Sequence, residues 1–509
     1  MTVTATIAVT LVSAFALASP ALAATDRIEA ERAKRLKYAC DRTRIRPTTI
    51  IAIPNPAKAR GTTQKADSVR FALAFSERTP PELLDMLARD PDARIRAGVA
   101  GNPSTALATL RLLASEQSDR VRTGLASNCS SSADILARLS TDENPTTRGN
   151  VAANPNTPRV ILEKLVDDPD SRVRADVIYN PAVPDAIVAD AAADANYFQA
   201  KTIADSLNAS PETLLMMLDA PGSAIRAILA ANPLLPPSAY EALAADESAS
   251  VRAALLRQPS LPLELLAKLT ADPDRNVRSA VGRHPETPPD LLRQLANDAD
   301  RLVHWSVADN PNTPPDVLAA LAMSTDQYVR MRAGSNVNTP MEAVRALLQD
   351  RNRTVRHETI RNPAIPQDIL RELASSASVE DRLSVVVNPN TGPDVMVALA
   401  ADTQESVRAS VAYGDRAPLT VLETLVNDPS PLVRRNAARN ARLGPKYLEA
   451  LAVDEDAGVR AALAENLATL PSILGALSKG AAGDTLKKIV NHPNVAPDLL
   501  TALYSASLE

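Results

Sequence analysis

An arginine that recurs every 26 residues is the feature that most constrains the fold of this chain. The series begins at Arg70 and ends at Arg460, with Ala200 and His304 in two of its positions. The intervening members are Arg96, Arg122, Arg148, Arg174, Arg226, Arg252, Arg278, Arg330, Arg356, Arg382, Arg408 and Arg434. Leu486, sixteen periods after Arg70, is the last and degenerate member. Because no insertion breaks the interval, the pattern predicts a solenoid of stacked repeats.

Turn residues at fixed positions in each unit predict two short helices. Thr287-Pro288-Pro289-Asp290 is typical of the start of a first helix, with the threonine as N-cap. Asp272-Pro273 predicts the start of the second helix, because an acid is favourable at the positive end of a helix. Asn154-Pro155 predicts its end, since the residue before a proline is disfavoured in helical conformation. The sequence therefore predicts an all-α solenoid of about 17 two-helix units of 26 residues, over residues 67–509, with degenerate C-terminal units as an end cap.

Three polar rows share the phase of this period. An asparagine follows most of the arginines by six residues, and an aspartate precedes most of them by six residues. Stacked arginines about 10 Å apart would repel one another unless each were matched by an acid. We expect a structural ladder, although a ligand-binding arginine row and a peptide-binding asparagine row remain alternatives. Its representative members are Arg174, Arg278, Arg356, Asp168, Asp272, Asp350, Asn154, Asn310 and Asn362.

Positions that vary from unit to unit are the candidate binding residues. The second helices between residues 252 and 382 are more basic than the chain average, and the single tryptophan of the chain lies among them. The candidate partner-binding residues are Arg257, Arg275, Arg283, Arg301, Trp305, Arg332, Arg353, His357 and Arg361. Aromatic and arginine side chains are enriched where proteins bind one another. The alternative is a solvated face whose arginines pair with turn acids.

A lapse at Ala200 is the second irregularity. This unit lacks the arginine and the Asn-Pro pair, and it gains Tyr197, Phe198 and Lys201. In a chain with only 3% aromatic residues, Tyr179 nearby adds to a small aromatic group. These side chains are expected to refill the space left by the arginine, and a bend or a pocket is the alternative reading.

No arrangement typical of an enzyme occurs in the sequence. All four histidines are repeat variants spread along the array, and no nucleophile triad, phosphate loop or metal-ligand spacing is present. The sequence therefore predicts no enzymatic activity, no cofactor and no metal. Cys40 and Cys129 are the only cysteines; they could form a disulfide in an exported chain, or Cys129 could simply occupy the position of a proline. The net charge of −5 argues against bulk affinity for nucleic acid or anionic membrane.

The first 66 residues precede the repeats. Residues 1–23 are uncharged and apolar and end in Ala-Leu-Ala, which resembles a secretory signal peptide. No basic residue precedes the apolar run, so a weak membrane anchor or a misassigned start codon are the alternatives. We expect export to the periplasm or the extracellular space if this segment is cleaved, and a cytoplasmic protein otherwise; no other stretch is apolar enough to span a membrane. Residues 24–66 are strongly basic and predict an N-terminal cap of the solenoid or, alternatively, a docking arm.

The repeat unit resembles the leucine-rich repeat variant found in bacteria. The clearest matches run from Val151 to Asp170, from Val307 to Asp326 and from Val385 to Asp402. The Asp and Val-Arg phrases are also similar to HEAT-like repeats, including those of phycobilin lyases. The resemblance implies a right-handed superhelix in which an α-helix alternates with a shorter, sometimes 3₁₀, helix, and it implies no activity.

The favoured functional hypothesis is a non-enzymatic scaffold that binds a protein partner along one face. The alternatives are a lyase-like or chaperone role in cofactor delivery, and nucleic-acid binding through the basic central units. A cofactor role would require a cleft with convergent polar groups, and nucleic-acid binding would show a steep salt dependence.

Overall fold

A computed structural model describes residues 62–193, 197–479, 481 and 483–508. These residues form 34 α-helices and two short 3₁₀ segments, and the described part contains no strand. The all-α fold of repeated helix pairs is confirmed. The 3₁₀ segments lie at Pro237–Ala239 and Leu463–Glu465, so nearly all first and second helices of the described repeats are α-helical. Residues 1–61, which include the signal-like segment, most of the basic segment and Cys40, lie outside the described residues, as do the side chains of Tyr197 and Phe198.

Each described repeat contains a first helix of five to ten residues and a second helix that carries the arginine position. The first helices are Pro81–Leu87, Leu107–Leu113, Ala133–Leu139, Arg159–Leu165, Asp185–Ala193, Pro211–Leu215, Tyr240–Ala244, Leu263–Thr270, Pro289–Leu295, Pro315–Leu321, Met341–Leu347, Gln367–Leu373, Pro393–Ala400, Leu419–Leu425, Pro445–Ala452, Pro471–Ser478 and Pro497–Ala506. The second helices are Thr62–Phe75, Ala93–Gly101, Asp119–Ser127, Pro145–Ala153, Ser171–Tyr179, Tyr197–Ala204, Ser223–Ala230, Ala249–Leu255, Arg275–Arg283, Arg301–Asp309, Gln327–Ser335, Arg353–Ile360, Val379–Val387, Glu405–Tyr413, Pro431–Arg439, Ala457–Ala462 and Gly483–Val490.

The second helix begins at a different acid from the one that the sequence suggested. In Asp272-Pro273-Asp274, the N-cap is Asp274, whose side chain accepts a hydrogen bond from the Asn276 backbone N–H at 2.7 Å. Asp272 accepts instead from the Asp274 backbone N–H at 2.8 Å. The assignment of the first acid as the cap was wrong, because that carboxylate is used by the arginine ladder.

The threonine before the first helix also has another role than predicted. The N-cap of Pro81–Leu87 is Pro80, without a side-chain cap bond. Thr79 Oγ1 donates to the Leu73 carbonyl, at the end of the preceding second helix, at 2.6 Å. The prediction of threonine N-caps was therefore wrong, since these hydroxyls satisfy orphan carbonyls of the second helix. The prediction for the helix end is confirmed: Asn154 is extended, with φ −69° and ψ 122°.

Apolar side chains from both helices fill the interior of the stack. In the Arg278 repeat, Val277 and Val281 of the second helix are fully buried together with Leu265 and Leu266 of the preceding first helix. The spacing of three and four residues puts these side chains on one face of each short helix. A two-helix unit alone would leave its end faces open to water, so neighbouring units complete its core.

The chain forms two compact units. One unit is Leu110–Leu291, and the described part of the other consists of residues 62–109 and 292–508. The second unit is thus assembled from two segments that are far apart in sequence. Within it, helix Thr62–Phe75 packs against Gly483–Val490 and Pro497–Ala506.

Candidate functional site

The arginine row pairs with the aspartate row of the following repeat. Arg330 Nε donates to Asp350 Oδ2 at 2.7 Å, and its Nη2 donates to Asp350 Oδ1 at 3.1 Å. Its Nη1 donates to the Ser324 carbonyl at 2.9 Å. The same carboxylate bond recurs at Arg70–Asp90, Arg122–Asp142, Arg148–Asp168, Arg226–Asp246, Arg252–Asp272, Arg382–Asp402, Arg408–Asp428 and Arg434–Asp454. These charge-assisted bonds, most of them bidentate, hold each of these repeats to the one that follows it.

These pairs are largely buried, and they alter the acidity of both partners. The hydrogen bond from Arg330 lowers the pKa of Asp350 although burial opposes it, and the same bond to Asp350 raises the pKa of Arg330. The side chains are 19% and 9% exposed. Breaking one partner would leave an uncompensated charge, so the row is unsuited to exchange with a ligand.

The other arginines of the predicted ladder lie in the same position. Arg174, Arg278 and Arg356 each donate through Nη1 to the carbonyl six residues earlier, at 2.6, 2.8 and 2.8 Å. The residue twenty positions after Arg356 is Ser376, so the regular carboxylate is replaced by a hydroxyl there.

The asparagine row bridges consecutive second helices. Asn362 Nδ2 donates to the carbonyls of Gly334 and Asn336, both at 2.8 Å, and its Oδ1 accepts from the Ala364 backbone N–H at 2.9 Å. Asn154 makes the equivalent bonds to Ala126 and Asn128 at 2.9 and 3.0 Å. Asn310 is buried at the same position, and its Oδ1 accepts from the Asn312 backbone N–H at 2.8 Å. In these bonds the amide serves backbone groups rather than a ligand.

Where the asparagine is absent, another side chain makes the bonds. Gln258 Nε2 donates to Ala230 and Asn232, and His492 Nε2 lies 2.8 Å from the Asn466 carbonyl. At Gly414, the guanidinium of Arg416, two residues later, donates to the Asn388 and Val386 carbonyls. The histidines at positions 284 and 492 therefore act as ladder members, because an imidazole reaches the same carbonyl as an amide.

A second row of polar bonds escaped sequence analysis. It lies two residues after the asparagine row, where Asn494 Nδ2 donates to the Leu467 and Thr469 carbonyls, both at 3.0 Å. Arg442 and Asn390 make similar bonds. The recurrent Asn-Pro-Asn phrase, as at Asn388-Pro389-Asn390, carried the signal for it.

An aromatic cluster occupies the exposed side of two second helices in the second unit. Trp305 and Tyr328 have ring centroids 5.3 Å apart, tilted by 58°, and Tyr328 is 47% exposed. The guanidinium of Arg301 lies 5.9 Å from the Trp305 ring centroid. Leu302 and Met331, which are both half-buried, occupy the repeat positions of Tyr328 and Trp305 in these two helices. We call these five residues the Trp305 face.

Most predicted binding arginines of the second unit already face an acid. Arg332 lies 3.2 Å from Asp309, and Arg301 lies 3.7 Å from Asp326. Arg353 lies 3.4 Å from Glu380, and Arg361 lies 3.1 Å from Glu358. All four arginine side chains are at least half exposed, so these surface pairs are weak and exchangeable.

The remaining predicted arginines lie in the other unit. Arg257, Arg275 and Arg283 are exposed, and Arg257 and Arg283 have no acid partner among the described residues. Arg257 and Arg283 occupy equivalent positions of consecutive repeats. The structure therefore divides the predicted binding residues between two units, with the tryptophan in only one of them.

His357 contacts an acid that sequence analysis missed. Asp381 stands where almost all other described repeats have valine or isoleucine, and its Oδ1 lies 3.3 Å from His357 Nε2. Ser376 Oγ donates to Asp381 Oδ2 at 3.0 Å. Burial lowers the pKa of His357 and outweighs the opposing effect of Asp381. The histidine is therefore neutral at pH 7, and the pair forms an internal polar contact between two repeats.

A cavity of about 290 Å³ in the Leu110–Leu291 unit is lined by helices Ser223–Ala230 and Tyr240–Ala244 and by the connections next to them. Its polar lining includes Arg226 and Asp246, which form a ladder pair, and the acids Asp219 and Glu247. The described residues contain no cluster of three potential metal ligands, and no helix in them is long and apolar enough to cross a bilayer.

Comparison with known proteins identifies the repeat. A leucine-rich repeat variant family model matches residues 275–300, which is one period of the array. A solved structure described as a leucine-rich repeat variant with a novel repetitive motif is 26% identical, covers 43% of this chain and 87% of its own, and gives a TM-score of 0.32. No curated protein matches the chain.

Helical transport proteins also match at low identity. Kap95p bound to RanGDP is 12% identical, with coverage of 90% of this chain and 62% of its own and a TM-score of 0.28. Importin beta is 12% identical, with coverage of 93% and 67% and a TM-score of 0.26. These low TM-scores carry no argument about function.

The matched segment includes Arg278 of the arginine row, which recurs in phase through the array. The chain is therefore a helical repeat protein, and one of its repeats matches the leucine-rich repeat variant.

Proposed function

We propose that this chain is a non-enzymatic scaffold that binds a protein partner through the Trp305 face. The carrying observation is the contact between the half-buried Trp305 and the exposed Tyr328, with Arg301 over the tryptophan ring. Tryptophan, tyrosine and arginine dominate the binding energy of protein interfaces because they bury large areas at a small entropic cost. The corresponding positions of most other described second helices carry small or polar residues.

The charge balance of the face indicates the kind of partner. Arg301 and Arg332 each have an acid within 4 Å, so the positive electrostatic potential of these two arginines is largely neutralised. A polyanion such as nucleic acid would have to displace these acids, whereas a protein surface with a protruding apolar or aromatic side chain would pack against the rings. We therefore favour a partner recognised mainly by apolar contact, with charge pairs at the rim.

The ladder contacts support a structural framework without catalysis. The buried arginines, aspartates and asparagines bind groups of the chain itself, which leaves the variable exposed positions for recognition. The histidines at positions 284, 357 and 492 contact neighbouring repeats rather than converging on one point.

The test begins by identifying the partner in native extracts, with a photo-crosslinking residue in place of Met331. Binding of the purified partner is then compared between the unmodified chain and Trp305→Ala/Tyr328→Ala. We expect at least about a thirtyfold weaker affinity, since interface hot spots cost 2 kcal/mol or more. Tyr413→Ala is the matched control, because Tyr413 is 67% exposed on another second helix. Equal loss in both variants, or no loss in either, would remove the Trp305 face from the proposal.

We also propose that the protein is exported. The apolar segment 1–23 supports this, because it resembles a secretory signal peptide. Export would also place Cys40 and Cys129 in a compartment where a disulfide between them is stable.

A further inference from the structure

Two helices of the second unit are each half of a repeat. Among the described residues, Thr62–Phe75 is a second helix with no first helix before it, and Pro497–Ala506 is a first helix with no second helix after it. The two helices pack against each other.

The hydrogen bonds between them follow the register of the regular repeats. In those repeats the ladder arginine donates to the carbonyl five residues earlier, as Arg330 does to Thr325 at 3.1 Å. Arg70 instead donates to the Ser507 carbonyl at 3.2 Å. Ser507 lies five residues before position 512, and 512 lies seventeen periods of 26 after Arg70. Arg70 therefore occupies the position that the next arginine of the array would have.

The asparagine position gives the same register independently. Ladder asparagines donate to the carbonyl 28 residues earlier, as Asn362 does to Gly334. Ser76 has this position in the first repeat, and its Oγ donates to the Val490 carbonyl at 3.1 Å. Shifted by the same seventeen periods, position 76 becomes 518, which is 28 residues after Val490. Two different side chains thus place Thr62–Phe75 in phase with the C-terminal helices.

We infer that Thr62–Phe75 and Pro497–Ala506 form one composite repeat, and that Thr62–Phe75 is a releasable strap on helices Gly483–Val490 and Pro497–Ala506. No peptide linker joins the two halves. Ser76 provides one hydrogen bond where a ladder asparagine such as Asn102 provides two, to Ala74 and Ser76 at 2.9 and 2.8 Å. This joint therefore has fewer ladder bonds than its neighbours and no covalent restraint.

Release of the strap would expose an apolar surface on helices Gly483–Val490 and Pro497–Ala506. Leu486, Ile489 and Leu500 are buried at this end of the second unit. The strap offers Val69 and Leu73 on its buried side, with Arg70 and Ser76 as its polar contacts. The C-terminal end is thus a docking site for a helix with this pattern, and the segment of its own chain occupies it in this structure.

The strap is tested by hydrogen–deuterium exchange on the full chain. Ser76→Ala removes the bond to Val490 and is expected to increase exchange of the strap amides about fivefold, as the loss of one net hydrogen bond implies. Ser76→Asn restores a ladder amide that can reach the Val490 and His492 carbonyls, and it is expected to slow this exchange about fivefold. The two substitutions act in opposite directions at one position, so a general loss of folding cannot imitate the result.

Asn466→Ser is the matched control, because it makes an equivalent change at a covalently continuous joint. Asn466 donates to Ala438 and Asn440 at 2.7 and 3.0 Å. Its substitution should change exchange near residues 438–465 and leave residues 62–75 unaffected. Strap exchange that is unchanged in both Ser76 variants, or that changes equally in every helix of the unit, would overturn the inference.

Discussion

At the scale of single residues, each ladder asparagine satisfies three backbone groups from two repeats. Replacing Asn362 by alanine removes its bonds to the Gly334 and Asn336 carbonyls and to the Ala364 N–H, although the Asn336 carbonyl still accepts from the Thr339 N–H. Because these groups are buried, we expect a loss of about 2–3 kcal/mol in the free energy of local opening around residues 334–364. Native-state hydrogen exchange measures it. Asn427→Ala, at an exposed asparagine, should have no effect, and an equal effect of both would refute the ladder's role.

Glu465 gives a prediction of pH dependence at the same scale. Hydrogen bonds from Arg439, at 2.7 Å, and Lys488 lower its pKa from 4.5 to about 2. Because the folded pKa lies below the unfolded one, its stabilising effect is present above pH 4.5 and is lost as the pH falls toward 2. Glu465→Gln should lower the stability of the C-terminal repeats by about 1 kcal/mol at pH 7 after solvent screening.

This difference should shrink on acidification, and hydrogen exchange of residues 431–490 at pH 7 and pH 3.5 measures it. Glu449→Gln is the control, since Glu449 is an exposed glutamate of the same region. A Glu465→Gln effect that grows in acid would contradict the prediction.

The sequence shows which residue types recur, but not which repeat each side chain reaches. The period alone identified the Arg, Asp and Asn rows, whereas the partner of Arg330 twenty residues later depends on how far one helix is offset from the next. The role of Asp381 could not be predicted from the sequence. A single acid at an apolar position departs from the repeat pattern, but it does not indicate which residue it contacts. Its meaning appears only when His357 of the preceding repeat is placed beside it.

At the scale of helices, two glycines differ in the space around them: Gly334 is closely packed, and Gly475 has free space beside it. A Cβ at Gly334 would overlap Thr359 Oγ1, which is buried and donates to the Val355 carbonyl at 2.7 Å. Gly334→Ala should therefore destabilise the contact between Gln327–Ser335 and Arg353–Ile360 by about 1–3 kcal/mol. A Cβ at Gly475, within Pro471–Ser478, would have no neighbour within 4 Å.

Gly475→Ala should instead stabilise its helix by about 0.5–1 kcal/mol, because alanine loses less conformational entropy than glycine on folding. Urea denaturation of the two variants measures the opposite signs. If both alanines destabilised the protein equally, the prediction that packing decides the effect at Gly334 and helix propensity decides it at Gly475 would be wrong.

Helix existence was predictable from the sequence, and the detailed use of each cap was not. Prolines and acids marked the starts of the helices, but Asp272 and Asp274 could both have capped the second helix. The choice depends on Arg252, which binds Asp272 at 2.7 Å and belongs to the preceding repeat. Tertiary contact thus decides between two locally equivalent residues.

At the scale of the whole molecule, the unbroken period made the fold predictable, whereas the composite repeat could not be anticipated. A residue separation of more than 400 between Ser76 and Val490 leaves no local signal. The serine at position 76 was visible as a departure from the asparagine row, but its partner was not.

Export and the disulfide belong together, because both require the same compartment. Cys40 and Cys129 are the only cysteines of the chain, and we expect them to form a disulfide if the chain is exported. We expect intact mass spectrometry of the native protein to show loss of residues 1–23 and a mass two hydrogens below that of the reduced chain. A peptide map without reduction should contain the Cys40–Cys129 link, and Cys129→Ser should abolish it. A native chain that retains residues 1–23 and carries two free thiols would refute both export and the link, and it would direct the search for a partner to the cytoplasm.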